Sequence, residues 1–164
     1  MLNVNDVAMY LINKDTEGRL FNKKNLTKMN GRTFYTGNAI INKLLHLAQN
    51  IYIAKTGEKL FDTDFYAYDN GAVAVEIQEQ YSVLLAKKYA PDISGESAKF
   101  LDNIFDIFKN ASVDELIELS HEDDEWRKKQ GFYKKADQKM DSLANAEMYK
   151  EQYADILMVM EHMN

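Results

Sequence analysis

The sequence predicts a mainly α fold, a compact multi-helix globular domain whose small antiparallel β element places it at the border of α+β. Three observations support this. Apolar residues recur at helical spacing in several separate segments, a single stretch reads as strands around a turn, and 46% hydrophobic with 12% aromatic residues can fill a core. The 164 residues correspond to about one domain at roughly 150 residues each. No internal repeat, low-complexity tract or Pro/Gly/Ser linker marks a second unit, so residues 1–164 read as one domain.

The first helix is expected from about Asn3 to Asn13, where Val4, Val7, Ala8 and Leu11 fall at i, i+3, i+4 and i+7 and Asn3 is placed to cap the free amides. Residues 15–38 are polar and rich in Asn, Thr and Gly, with Lys23, Lys24 and Lys28 but no acidic residue between Arg19 and Arg32. That segment reads as a long, basic, mobile loop or insertion with at most a helical turn inside. The strongest signal follows. Asn38 is placed to cap a central core helix with the stripe Ile41, Leu44, Leu45, Ala48, Ile51 and Tyr52, and Gly57 stands where a left-handed residue ends it.

Phe65, Tyr66 and Tyr68, the turn residues Asp69-Asn70-Gly71, and then Val73 and Val75 fit a small hairpin. Val73, Ile77, Tyr81, Leu84 and Leu85 also keep helical spacing, so a helix is expected to begin near Val73, leaving the second strand a stub, and to stop before Pro91. Phe100, Leu101, Ile104, Phe105 and Phe108 form another stripe, and Ser112-Val113-Asp114-Glu115 is a capping box for a short helix through Leu119. A last helix starts near Asn145 and aligns Tyr149, Tyr153, Ile156, Leu157 and Met160.

The formal charge of −6 weighs against wholesale binding of nucleic acid or anionic membrane, because neutralising many phosphates takes a basic footprint. A local basic patch is compatible with it. Without cysteine there is no disulfide, thiolate nucleophile or cysteine-ligated metal, and a reducing compartment suits the chain. The N-terminus has no positive region leading into an apolar core, and no stretch approaches the ~18 apolar residues that span a bilayer. The expectation is a cytoplasmic protein with no membrane partner.

No residue is assigned a catalytic, cofactor-binding or metal-binding role. Ser, His and carboxylates are present, but no G-x-S-x-G elbow, Walker loop or G-x-G-x-x-G cradle organises them. His121 to Glu125 joins an imidazole to four carboxylates, donors that metal ions take, yet the spacing is neither H-E-x-x-H nor a calcium loop. A solvated acidic loop, with His121 bonding a last-turn carbonyl, is the plainer reading. Charge is patterned more strongly. Asp114, Glu115, Glu118 and Glu122 to Glu125 precede Arg127, Lys128, Lys129, Lys134, Lys135 and Lys139, with Trp126 at the boundary. Blocks of opposite sign usually form a solvated surface that partly pairs with itself, but Trp and Arg beside charges also make binding hot spots. The candidate partner-binding residues are Tyr66, Tyr68, Asn70, His121, Glu125, Trp126 and Arg127, with Trp126 expected to anchor its segment on the core.

Several segments occur in a telling order: Asn5-Asp6-Val7-Ala8-Met9-Tyr10-Leu11, Ile41-Asn42-Lys43-Leu44-Leu45-His46-Leu47-Ala48-Gln49, Thr56-Gly57-Glu58-Lys59-Leu60-Phe61-Asp62, Asn70-Gly71-Ala72-Val73 with Tyr81, and Leu119-Ser120-His121-Glu122-Asp123-Asp124-Glu125-Trp126. Together they resemble the Panacea domain family, with its L-x-K-L-L-Y-x-A-Q helix and its T-G-x-P-L-F, Y-G-P-V and L-T-H-x-E-x-x-W segments. The chain departs from it at Lys59 and Ala72 in place of prolines, Asn70 in place of tyrosine, Ser120 in place of threonine, and over Asn25 to Asn38.

The resemblance implies an antitoxin of a bacterial toxin–antitoxin pair, or a prophage- or mobile-element-associated protein. Such a domain binds and neutralises a cognate protein toxin encoded by an adjacent gene, and some members present it for degradation by a protease or its adaptor. No catalytic residue and no cofactor come with the resemblance. Two other functions stay open: a mobile-element regulator contacting DNA through Arg19 to Arg32, and an enzyme whose site the motifs do not reveal.

Overall fold

The structure, a computed structural model, describes residues 1–163. Its centre is helix α2 (Thr36–Thr56), and composition explains why. Ile41, Leu44, Leu45, Leu47, Ile51 and Ile53 cover more than one stripe, and each is at most 1% exposed. A helix apolar on several sides has to be wrapped. Helices α1 (Val4–Lys14), α3 (Val75–Lys87), α4 (Gly95–Phe108), α5 (Val113–His121) and α8 (Ala146–Gln152) pack on it. Short helices α6 (Asp124–Lys129) and α7 (Lys135–Gln138) and the final α9 (Ala154–Glu161) complete the α layer. One hydrophobic cluster runs from Val4 to Met160.

The ends of these helices follow local chemistry. Asn3 Oδ1 accepts from the Asn5 and Asp6 amides at 2.9 and 3.3 Å, which starts α1 and buries Val4, Val7, Ala8 and Leu11 as their spacing predicts. Gly57 ends α2 at φ 79°, and Ser112 and Glu115 form the reciprocal capping box of α5. The small hairpin is present as β3 (Tyr66–Tyr68) and β4 (Gly71–Val73), antiparallel, with Ala67 opposite Ala72. Helix α3 starts just after it, at Val75, and stops at Lys87, ahead of Pro91.

Three expectations need correcting. Residues 15–38 are not an irregular mobile loop: β1 (Leu26–Met29) and β2 (Arg32–Tyr35) pair antiparallel, and the turn residues Asn30 and Gly31 both take positive φ, 52° and 76°. That pair of left-handed residues matches the twist of a two-residue hairpin loop. Ahead of it, the Asp15 carboxylate accepts from the Arg19, Leu20 and Phe21 amides, which fixes the chain and buries Phe21. Asn38 does not cap α2, which begins two residues earlier; its side chain donates to the Gln78 carbonyl and accepts from Asn42. The last helix is broken at Tyr153 into α8 and α9, with the Tyr153 hydroxyl accepting from Asn50 at 3.3 Å. The mainly α class stands, with two small antiparallel sheets among the described residues.

Candidate functional site

Asn42, Lys43, His46, Gln49 and Asn50 recur every three or four residues along α2, a spacing that ordinarily gives a helix its solvated face. Here each is at most 2% exposed. Buried polar groups need partners, and the other motif-bearing segments supply them. Gln49 Oε1 accepts from the Leu60 and Phe61 amides while its Nε2 donates to the Phe61 carbonyl, which ties down the Leu60-Phe61 segment. Asn42 Oδ1 takes the Ala74 amide and Lys43 Nζ reaches the Ala72 carbonyl at 3.0 Å, so β4 lies directly over the helix. Gly71 has no room for a side chain: a Cβ there would stand 2.7 Å from Ser120 Oγ and 2.8 Å from Lys43 Cε.

His46 links α2 to the α5–α6 corner. Its Nδ1 lies 2.9 Å from Ser120 Oγ and its Nε2 2.7 Å from Asp123 Oδ2. Asp123 also accepts from Asn50 and from the Tyr149 hydroxyl, and caps α6 through the Glu125 amide. Burial by itself pushes the Asp123 carboxyl up, but the hydrogen-bonded His46 ring, with Asn50 and Tyr149, holds it below its ordinary 3.8. Burial, followed by the Asp123 charge, pushes the Tyr149 phenol far upward.

Ser120, His46 and Asp123 share the residue types of an acyl-transfer triad. The geometry differs in two respects. A triad puts serine on Nε2 and the carboxylate on Nδ1, the reverse of what is found here. The three residues are 0%, 1% and 0% exposed, and the Ala72 amide donates to the Ser120 hydroxyl. This arrangement braces β4 and α5 against α2, with its hydroxyl sealed from substrate. Among the described residues, no group of three or more His, Cys, Asp or Glu is placed to hold a metal ion, and no helix is long and apolar enough to cross a membrane.

The residues singled out from sequence sit on or just under one surface. Tyr66 and Tyr68 on β3 are half-buried, as is Asn70 in the β3–β4 turn, and Arg127 is exposed. Trp126 is 8% exposed and donates through Nε1 to the Tyr68 carbonyl at 2.8 Å, which anchors the acidic-to-basic segment under the hairpin. His121 stacks on the Trp126 ring at 3.9 Å with planes 6° apart, and its Nε2 is buried without a hydrogen-bond partner among the described residues. Burial and then the Lys43 charge push the His121 imidazole down, with the Asn70 backbone working against them. Glu125, 3% exposed, pairs with Lys129 at 2.7 Å and receives the Asp141 amide. Arg127 Nε donates to the His121 carbonyl.

Sequence reasoning missed the whole polar stripe of α2, and it missed Phe132 and Tyr133, which are 48% and 101% exposed between α6 and α7. It also missed a cleft of about 580 Å³ between the β1–β2 hairpin, the start of α2 and the β3–β4 turn, to which Arg32, Lys43, Tyr68 and Asn70 contribute. Burial lowers the Lys43 ammonium there from 10.5 to about 7.

Comparison with family models matches residues 41–127, just over half of the chain, to the family described as antitoxin SocA-like, Panacea domain. Neither the curated proteins nor the solved structures give a match. The matched span begins in α2 and ends just after Trp126, so it contains the polar stripe, both segments that stripe holds, and the β3–β4 hairpin above it. The chain belongs to the Panacea domain family of antitoxin-like proteins.

Proposed function

We propose that this chain neutralises a cognate protein toxin by direct binding, with the partner seated over the β3–β4 hairpin and the neighbouring α6–α7 loop. One observation supports this above the rest: an exposed aromatic pair lies within a run of exposed cations that reaches the β3–β4 hairpin. Phe132 and Tyr133 fall in the chain between exposed Arg127 and Lys128 on one side and Lys134 and Lys135 on the other, and Lys135 Nζ lies over the Tyr66 ring at 5.1 Å. An aromatic anchor within a charged rim gives both affinity and partner choice. Tyr66, Tyr68 and Asn70 extend that surface, while Glu125, Trp126 and His121 support it from beneath.

The test is to express the product of the adjacent gene with and without this protein, score growth, and ask whether the pair co-purifies. Neutralisation with complex formation is expected, weakened by about 2 kcal/mol or more in Tyr133→Ala with the unfolding midpoint unchanged. A neighbour that is harmless alone, or that stays toxic beside abundant folded partner without forming a complex, overturns the proposal. Delivery of the toxin to a protease or its adaptor would additionally shorten toxin half-life; an unchanged half-life leaves direct blocking as the mechanism.

A second reading has its own observation. Arg19, Lys23, Lys24, Lys28 and Arg32 are all exposed in and before the β1–β2 hairpin, with no acidic residue among residues 19–32. A DNA-contacting regulator would show affinity that falls steeply with salt and weakens when these cations are replaced.

A further inference from the structure

Lys43 is a buried amine with no charge partner among the described residues. It is 2% exposed, and of the three N–H groups of its ammonium only one has an acceptor among the described residues, the Ala72 carbonyl at 3.0 Å. No carboxylate pairs with it among the described residues. Gly71 packs directly against the lysine tip on the β4 side, where a Cβ would stand 3.2 Å from Nζ. Lys43 nevertheless contributes to the wall of the cleft between the two hairpins. A buried ammonium with spare donors is costly, so an acceptor arriving from outside at the cleft wall would favour its charged form.

The rest of the cleft narrows the chemistry of that acceptor. With Lys43 protonated, the charged lining of Arg32, Lys43 and Asp69 carries a balance of one positive charge, which suits a carboxylate better than the higher charge of a phosphate. The lining is rich in amides: Asn30 and Asn70 hydrogen-bond to one another, while Gln78 also faces the space. A side-chain amide offers a donor and an acceptor together, the complement of a peptide main chain. Strand β2 belongs to a two-stranded sheet and keeps one unpaired edge, and Tyr68 supplies an aromatic wall. A volume of about 580 Å³ holds a short extended segment, not a folded domain.

We propose that this cleft binds an extended, carboxylate-bearing peptide segment of the protein partner, its carboxylate received by Lys43 and Arg32. The proposal rests on the partner-binding function above and names which part of the partner enters. Association then has two components: an aromatic and cationic platform outside, and a carboxylate lock between the hairpins.

The experiment titrates the full chain, followed by NMR, with three probes: acetyl-Ala-Glu-Ala-amide, its Gln counterpart and inorganic phosphate. The Glu peptide is expected to shift the Tyr68, Asn70 and Gln78 resonances in a saturable way, at least tenfold more tightly than the Gln peptide. Lys43→Met and the exposed Arg32→Gln should each remove at least tenfold of that affinity, the second without touching the interior. Equal binding of the two peptides, shifts away from the cleft, or a preference for phosphate over the Glu peptide overturns the proposal. A toxin complex that forms undiminished with both variants overturns the cleft while the antitoxin function stands. Glu-peptide binding at the cleft with no toxin complex leaves the cleft standing and removes that function.

Discussion

Replacing Lys43 by Met should stabilise the protein at neutral pH, although it alters a residue at the centre of the fold. Methionine preserves the length and volume of the lysine stem and so leaves packing nearly intact. What changes is the ammonium. Burial lowers it from 10.5 to about 7, so between those values the unfolded chain holds a proton that the folded chain does not, and wild-type stability rises with pH across that window. At about 1.4 kcal/mol per tenfold, the full difference amounts to as much as about 5 kcal/mol. Loss of the bond to the Ala72 carbonyl takes back about 1 kcal/mol. The raised tyrosines Tyr10, Tyr81, Tyr89, Tyr149 and Tyr153 and the lowered His121 are common to both proteins and cancel in the difference between variant and wild type. Urea unfolding followed by circular dichroism at pH 7, 8.5 and 10 should find the variant more stable at pH 7, with its advantage shrinking by at least about 2 kcal/mol by pH 10. A difference constant within about 0.5 kcal/mol over that range would show that the Lys43 ammonium is compensated inside the protein.

The glycine at the hairpin should behave unlike its counterpart in the other hairpin. Gly71→Ala meets Ser120 Oγ and Lys43 Cε at a φ of +118°, and unfolding should register a loss above about 2 kcal/mol, whereas Gly31→Ala, with nothing within 4 Å, should lose only about 1 kcal/mol. Asp123→Ala strips His46, Asn50 and Tyr149 of a shared acceptor and should cost about 3–5 kcal/mol in thermal or urea unfolding. Because the Asp123 carboxyl is held below 3.8, its contribution is present above about pH 4 and is lost as the pH falls through its folded value, so Asp123→Asn should unfold with a shallower acid dependence. Leu45→Ala, at a position with no exposure, should cost about 2–5 kcal/mol; a loss below about 0.5 kcal/mol would contradict its burial.

The legible parts of this fold are those decided within a few residues. The stripes at Val4-Val7-Ala8-Leu11 and Phe100-Leu101-Ile104-Phe105 became buried helix faces, and Asn3, Ser112 and Gly57 became the caps their positions implied. The β1–β2 hairpin was local too. Asn30-Gly31 between Leu26-Thr27-Lys28-Met29 and Arg32-Thr33-Phe34-Tyr35 is a strong two-residue turn signal. Its strands are short and largely exposed, so the run of lysines and asparagines outweighed it in a reading by composition.

The buried polar stripe of α2 was hidden for a different reason. A helix that carries Asn42, Lys43, His46, Gln49 and Asn50 as a stripe among its apolar residues is locally indistinguishable from one with a wet face. Only partners far away in sequence decide the matter: Asp123 lies 77 residues from His46 and 73 from Asn50. The arrangement also separates two kinds of motif residue that look alike in sequence. His46, Ser120 and Asp123 are joined to one another and Gln49 is satisfied by the Leu60 and Phe61 backbone, so all four explain themselves as scaffold. Lys43 lies in the same stripe and is as deeply buried, but it has one acceptor for three donors. A scaffold alone would be better served there by an apolar side chain of the same length. The uncompensated amine is therefore where a carboxylate from a binding partner should be sought, and the stabilisation expected in Lys43→Met should come together with a loss of that binding.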